Sequence, residues 1–142
     1  HRVDRRQRQM CIRDSYSIMP RKISRKGLIK KLDKLFSIYI RTRYAMDGMV
    51  RCVTCNTIKY TSEIDAGHFV SRRHYSTRWH PTNVQTQCKK CNNWGAGESY
   101  LFGKYLDKTY GIGTADELIK LSRQITKFTD QDLKDMIKLY EI

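Results

Sequence analysis

Apolar positions fall into helical stripes at the two ends of the chain and into short extended runs between them. From Gly27 to about Ala45, Leu28, Leu32, Leu35, Phe36 and Tyr39 recur at i, i+4, i+7, i+8 and i+11, the spacing of one helix face. The middle of the chain breaks that period. Met49 to Val53 reads as a short strand, Lys59 to Val70 holds a second extended segment ending near His68, and Val84 to Gln87 reads as a return strand. Pro81-Thr82-Asn83 is the turn before it. Helices return after Cys91, although Gly95 and Gly97 interrupt the start. Tyr100–Tyr110 sets Leu101, Phe102, Tyr105 and Leu106 on one face, and Gly111 and Gly113 end that helix. Thr114-Ala115-Asp116-Glu117 reads as a capping box opening a short helix through Leu121. Thr129 opens the last helix, with Leu133, Met136, Ile137 and Tyr140 as its stripe. The pattern is α+β, with these stripes as core and no internal repeat.

Composition sharpens this picture. At 142 residues the chain suits one domain with appended helices. Its 39% hydrophobic content gives a modest core, for which a metal staple makes physical sense. The net charge is +14 and the sequence pI about 9.8, which favours phosphate-rich partners. The charge is uneven: residues 27–94 carry 12 basic and 4 acidic residues, whereas 95–142 carry 7 and 8. The footprint for a polyanion therefore lies on the middle of the chain. Residues 1–26, with nine Lys/Arg, read as a disordered basic arm, and residues 1–15 as translated adapter sequence foreign to the natural chain. Cys11 goes with them and has no metal role. The expected division is one domain with its packing helix over 27–110 and a helical extension over 111–142. No apolar run long enough to span a membrane and no signal-peptide core is read, so a reduced, cytoplasmic setting is expected.

The chemistry concentrates around the cysteines. Cys52-Val53-Thr54-Cys55 and Cys88-Lys89-Lys90-Cys91 bracket a 32-residue stretch. Two residues between cysteines let one tight turn offer two thiolates to a tetrahedral ion, and two such turns complete a structural zinc site with no open position. A strand ending in His68, a return strand and a helix beginning at Cys91 make a ββα unit that brings His68 and Asn92 to one mouth. A neutral imidazole there can take a proton from water. A divalent ion on oxygen ligands can neutralise the phosphate. Asn83 is expected to hydrogen-bond the loop that orients His68, and Asn92 doubles as a helix cap. Asn93 is a weaker candidate for either role. Arg72 and Arg73 are expected to contact phosphates, while His74 and His80 are expected to be solvated or to face phosphate. Trp79 and Trp94 could stack on bases, but core packing is expected of both.

These residues resemble the HNH, or ββα-metal, nucleases: His68, then Asn83 in Asn83-Val84-Gln85-Thr86-Gln87-Cys88, then Asn92 after Cys91. More narrowly, from about Lys30 to Tyr140 the chain resembles the phage lambda NinG/Rap family of recombination endonucleases. The shared segments include Val50-Arg51-Cys52, Asp65-Ala66-Gly67-His68-Phe69, Cys91-Asn92-Asn93 and Tyr110-Gly111-Ile112-Gly113-Thr114-Ala115. The spacing is also similar to phage endonuclease VII, a Holliday-junction resolvase. The resemblance implies a zinc-stapled, HNH or treble-clef-like ββα-metal module flanked by helices. It also implies Mg²⁺- or Mn²⁺-dependent hydrolysis of branched recombination DNA, Holliday junctions or D-loops, with His68 and Asn83 as the catalytic pair. Symmetric cutting of a four-way junction would suit a homodimer. Two departures stand out. Asn92 replaces a histidine as metal ligand, and Gly67 sits where many relatives place a metal-binding residue, so Asp65 is the expected substitute ligand. The rival readings are a non-catalytic zinc module that binds nucleic acid, and an iron–sulfur protein, which leaves His68 and Asn92 unexplained.

Overall fold

A computed structural model describes residues 22–141; the expectations for residues 1–21, including those for residues 1–15 and Cys11, lie outside it. The first described helix, α1 (Arg25–Thr42), starts inside the stretch assigned to the basic arm, because Ser24 caps it by accepting from the Gly27 amide at 3.1 Å. Its buried stripe is Leu28, Leu32, Phe36 and Ile40. This stripe packs on Leu133 and Ile137 of the last helix, α5 (Asp130–Tyr140), with Trp79 and Val84 completing the core. Tyr140 closes its end, its ring edge-on to Phe36 at 5.1 Å. Thr129 and Asp132 form a full capping box that starts α5, and the helix lies against α1.

Between these helices lie two separate two-stranded antiparallel sheets. The extended segment expected over Lys59–Val70 divides between them. β1 (Met49–Arg51) pairs with β2 (Ile58–Tyr60) around the first cysteine turn. β3 (Ile64–His68) pairs with β4 (Val84–Cys88), in register from Ile64 opposite Cys88 to His68 opposite Val84. The connection from β3 to β4 carries a one-turn helix, α2 (Tyr75–Arg78). β4 is buried along its whole length, beneath α1 on one side and against the β1 knuckle on the other. There Val53 N donates to Thr86 O at 2.9 Å, and Thr86 Oγ1 to Arg51 O at 2.7 Å.

Three local expectations are corrected. The chain after Cys91 makes a π-helical turn, Lys90–Trp94, and the regular helix α3 begins only at Ser99 (Ser99–Tyr110). Ala96, Gly97 and Glu98 stand at positive φ between that turn and α3, and Trp94 is 88% exposed rather than in the core. The helix α4 (Thr114–Ser122) is not opened by a capping box: Gly113, at φ 94°, stands at its N-cap, and Thr114 Oγ1 donates to Gly111 O. Asp107 of α3 caps it from outside by accepting from Ala115 N at 3.0 Å. A further small core of Phe102, Leu106 and Leu118 joins α3 and α4 to the hairpin through Phe69.

Candidate functional site

The β3–β4 hairpin is held at both ends. At the Ile64/Cys88 end, the sulfurs of Cys52, Cys55, Cys88 and Cys91 all lie within 4.8 Å of one another. Cys55 Sγ and Cys88 Sγ are 3.7 Å apart. This is far beyond a disulfide bond and matches the ~3.8 Å edge of a tetrahedron with Zn–S bonds of about 2.3 Å. Three of the four cysteines are buried, with Val50 and Ile64 packed around them. Burial pushes the Cys91 thiol up to about 12, so the cluster calls for a cation if all four sulfurs are to be thiolates. Thr54 Oγ1 lies 3.3 Å from Cys52 Sγ and Thr57 Oγ1 3.1 Å from Cys55 Sγ, placed to orient these sulfurs. The four cysteines can hold a zinc ion.

The other end is held by hydrogen bonds. His68 Nε2 lies 2.9 Å from the Arg78 carbonyl oxygen. A carbonyl only accepts, so Nε2 carries the proton and Nδ1 keeps the free lone pair. Burial foremost, then the nearby Arg72 and Arg78 charges, holds the ring below the ordinary histidine value, against the opposing effects of the Arg78 carbonyl and Asp33. The imidazole is therefore neutral at pH 7. Asn83 is fully buried; its Oδ1 accepts from Val70 N at 2.8 Å, and its Nδ2 donates to Val70 O and Thr77 O at 3.1 and 3.0 Å. Those bonds tie both flanks of the loop that carries Arg78, and they use both amide hydrogens of Asn83.

Residues the sequence reading did not single out complete this end. Asp33 of α1 accepts from Arg78 Nε at 3.0 Å, from Arg78 Nη2 at 2.6 Å and from Trp79 Nε1 at 2.9 Å. Arg78 Nη1 also donates to the Arg72 carbonyl. The α2 backbone, and with it the carbonyl that fixes His68, is thus anchored on α1. Asp33, Ser37 and Arg41 step by four along that helix, so one polar stripe faces the hairpin. That spacing was the one available signal. It gave no partner, because Arg78 is 45 residues away.

On the strand itself, Asp65 meets Asn92. Asn92 Nδ2 donates to Asp65 Oδ2 at 3.1 Å, and Lys89 Nζ donates to Asp65 Oδ1 at 2.8 Å. They line an open polar concavity of about 420 Å³ with Ser37, Arg41, Ser62, Ile64 and Ala66. Asp65 and Asn92 offer oxygen donors to a hard divalent ion, Asn92 after a turn of its amide. His68 lies three residues along β3, roughly 10 Å from Asp65 between Cα atoms by strand geometry. Among the described residues no hydrogen bond joins it to Asp65 or Asn92. Gln87 packs against Gly67, and a Cβ there would meet Gln87 Oε1, so a ligand at this position would require the Gln87 side chain to move. Gln87 is itself buried, donating to Gly97 O at 2.8 Å.

The remaining candidates separate. Arg72 is exposed and lies 3.5 Å from Asp33 Oδ2, and Arg73 is exposed. Trp79 is in the core, as its packing on Phe128 and its bond to Asp33 require. His80 accepts from Thr82 N through Nδ1 and shapes the turn before β4, while His74 is exposed ahead of α2. Asn93 is exposed. Among the described residues no helix is long and apolar enough to cross a membrane.

No significant match was found among curated proteins or among solved structures. The family described as Bacteriophage Lambda NinG protein matches residues 2–142, and the chain belongs to the NinG family.

Proposed function

We propose that this protein is a metal-dependent endonuclease of phage recombination that cleaves branched DNA, built on an HNH-type ββα-metal hairpin. NinG membership supports a recombination-related role. The observation that carries the chemistry is the single hydrogen bond from His68 Nε2 to the Arg78 carbonyl. It fixes the tautomer, so that in the imidazole that burial keeps neutral Nδ1 is the free base, the state needed to take a proton from an attacking water. Asn83 and Asp33 hold that carbonyl in place without touching the reacting atoms. Asp65 and Asn92 are the residues that would hold Mg²⁺ or Mn²⁺. Such an ion supplies charge neutralisation at the phosphate and stabilises the leaving 3′ oxygen. Arg72, Arg73 and Lys89 contribute exposed positive charge around the hairpin for backbone phosphates. The zinc cluster, closed by four sulfurs, fixes the strand end that bears Asp65 and takes no part in hydrolysis.

The rival, a zinc module that binds nucleic acid without cutting it, gains weight from Arg41 and Lys89, whose charge around one carboxylate suits phosphate. Purified protein incubated with four-way junction, duplex and single-stranded DNA, in Mg²⁺, Mn²⁺ or EDTA, separates the two. The endonuclease reading expects ion-dependent cleavage with the junction cut fastest. Binding without cleavage in every ion leaves the rival standing.

A further inference from the structure

The candidate ion site has an unusual charge balance. Its lining contains one carboxylate, Asp65, against two cations, Lys89 and Arg41. Both Asp65 oxygens are already engaged, Oδ1 by the Lys89 ammonium and Oδ2 by the Asn92 amide. Arg41 is committed elsewhere: its Nε donates to Ser37 Oγ at 3.2 Å and its Nη1 to Thr61 O at 2.8 Å. Lys89 is therefore the cation that stands where a divalent ion would bind. Its placement is not incidental, since it directly follows Cys88 and the register sets Cys88 opposite Ile64, the residue before Asp65. The cysteine cluster thus fixes the backbone on both sides of the pair. The ammonium itself remains well exposed, with a side-chain exposure of 62%, and so can leave.

Resting on the ion-site reading above, we propose that Lys89 gates that site. Without DNA it neutralises Asp65 and competes with the divalent ion. When the ion binds Asp65, the released ammonium is free to meet a backbone phosphate. Ion binding and DNA binding then favour each other, because each removes a cost the other faces alone: the ion gains an anionic neighbour, and DNA gains a freed cation. Reciprocity is required thermodynamically. An arrangement with one protein carboxylate completed by substrate phosphate also suits Mg²⁺, which is commonly held that way.

The test is Mn²⁺ binding followed by electron paramagnetic resonance, with zinc-loaded protein, in parent, Lys89→Met, Lys90→Met and Asp65→Asn forms. Lys90 is the neighbouring exposed lysine and controls for general charge. Lys89→Met should tighten Mn²⁺ by roughly three- to tenfold, the scale of losing one exposed ion-pair competitor and its repulsion, and Lys90→Met by less than about twofold. Asp65→Asn should abolish the site. In a His68→Ala background, where DNA stays intact, a short duplex should tighten Mn²⁺ by about tenfold or more with Lys89 present and clearly less with Lys89→Met. Unchanged or weaker Mn²⁺ binding in Lys89→Met overturns the gate. Unchanged binding in Asp65→Asn overturns the ion site itself. If the gate behaves as described while the parent cuts no DNA, the inference stands and the endonuclease reading alone fails.

Discussion

The two ends of the β3–β4 hairpin are fixed by different kinds of force. The Ile64/Cys88 end is closed by four sulfurs drawn from two turns, arranged for a single ion. The His68/Val84 end is closed by a neutral amide, Asn83, and by an ion pair, Asp33 with Arg78, reaching across from α1. A metal staple is strong, local and indifferent to small displacements of what lies beyond it. A hydrogen-bonded loop is weaker but directional, and it sets the tautomer of one imidazole. One end can thus draw stability from an ion held by four sulfurs, while the other sets the geometry of His68 by directional hydrogen bonds.

That division can be broken most forcefully at the staple. Cys88→Ser removes one of four ligands, and metal-binding energy in small zinc modules is folding energy on the order of 10 kcal/mol. The expected result is loss of about one tightly bound zinc per chain, together with loss of cooperative unfolding. A zinc-free protein with an unchanged melting profile would mean that the helical core alone holds the hairpin.

The difference between the ends also explains what was legible in the sequence. Paired cysteines at two-residue spacing declare their partners, because a tetrahedral ion demands four ligands and the chain offers two matching turns. The stripes of α1 and α5 were equally plain, since Leu28, Leu32, Leu133 and Ile137 repeat at helical period. The Asp33–Arg78 pair was hidden, because a charge on an amphipathic helix looks solvated until the fold shows what stands opposite. Core packing expected of Trp94 fails for a related reason: an indole alone does not show what stands opposite it, and the π-helical turn leaves this one exposed. Gly67 read as a missing ligand, whereas the structure shows that Gln87 fills the space.

A smaller effect is expected from Asp33→Ala. It leaves the half-buried Arg78 guanidinium and the Trp79 indole without their acceptor, a loss of roughly 1.5–3 kcal/mol for bonds to a charged group. It should also loosen the Arg78 carbonyl. Nitrogen NMR should then show His68 as a mixture of tautomers in place of the Nε2–H form, with zinc content unchanged. A single Nε2–H tautomer in Asp33→Ala would show that Asn83 suffices and that the ion pair is only structural.

The least effect is the pH response. His68 titrates below its ordinary 6.5 when folded, chiefly through burial, so below about that pH the unfolded chain binds the proton first. Stability should fall as pH drops from about 6.5 toward the folded value and should gain nothing from this group above 6.5. His68→Gln should flatten that slope, measured by denaturant unfolding of zinc-loaded protein at pH values where zinc stays bound. An equal slope in both forms would place the titrating group elsewhere.

The most direct test compares the parent protein with His68→Ala on the same four-way junction in Mn²⁺, measuring single-turnover cleavage and binding affinity side by side. General-base assistance is typically worth ~10²–10⁴-fold. Cleavage should fall by about that factor while binding affinity and zinc content stay within about twofold. Cleavage by His68→Ala at the parent rate would contradict the assignment of His68 as the base.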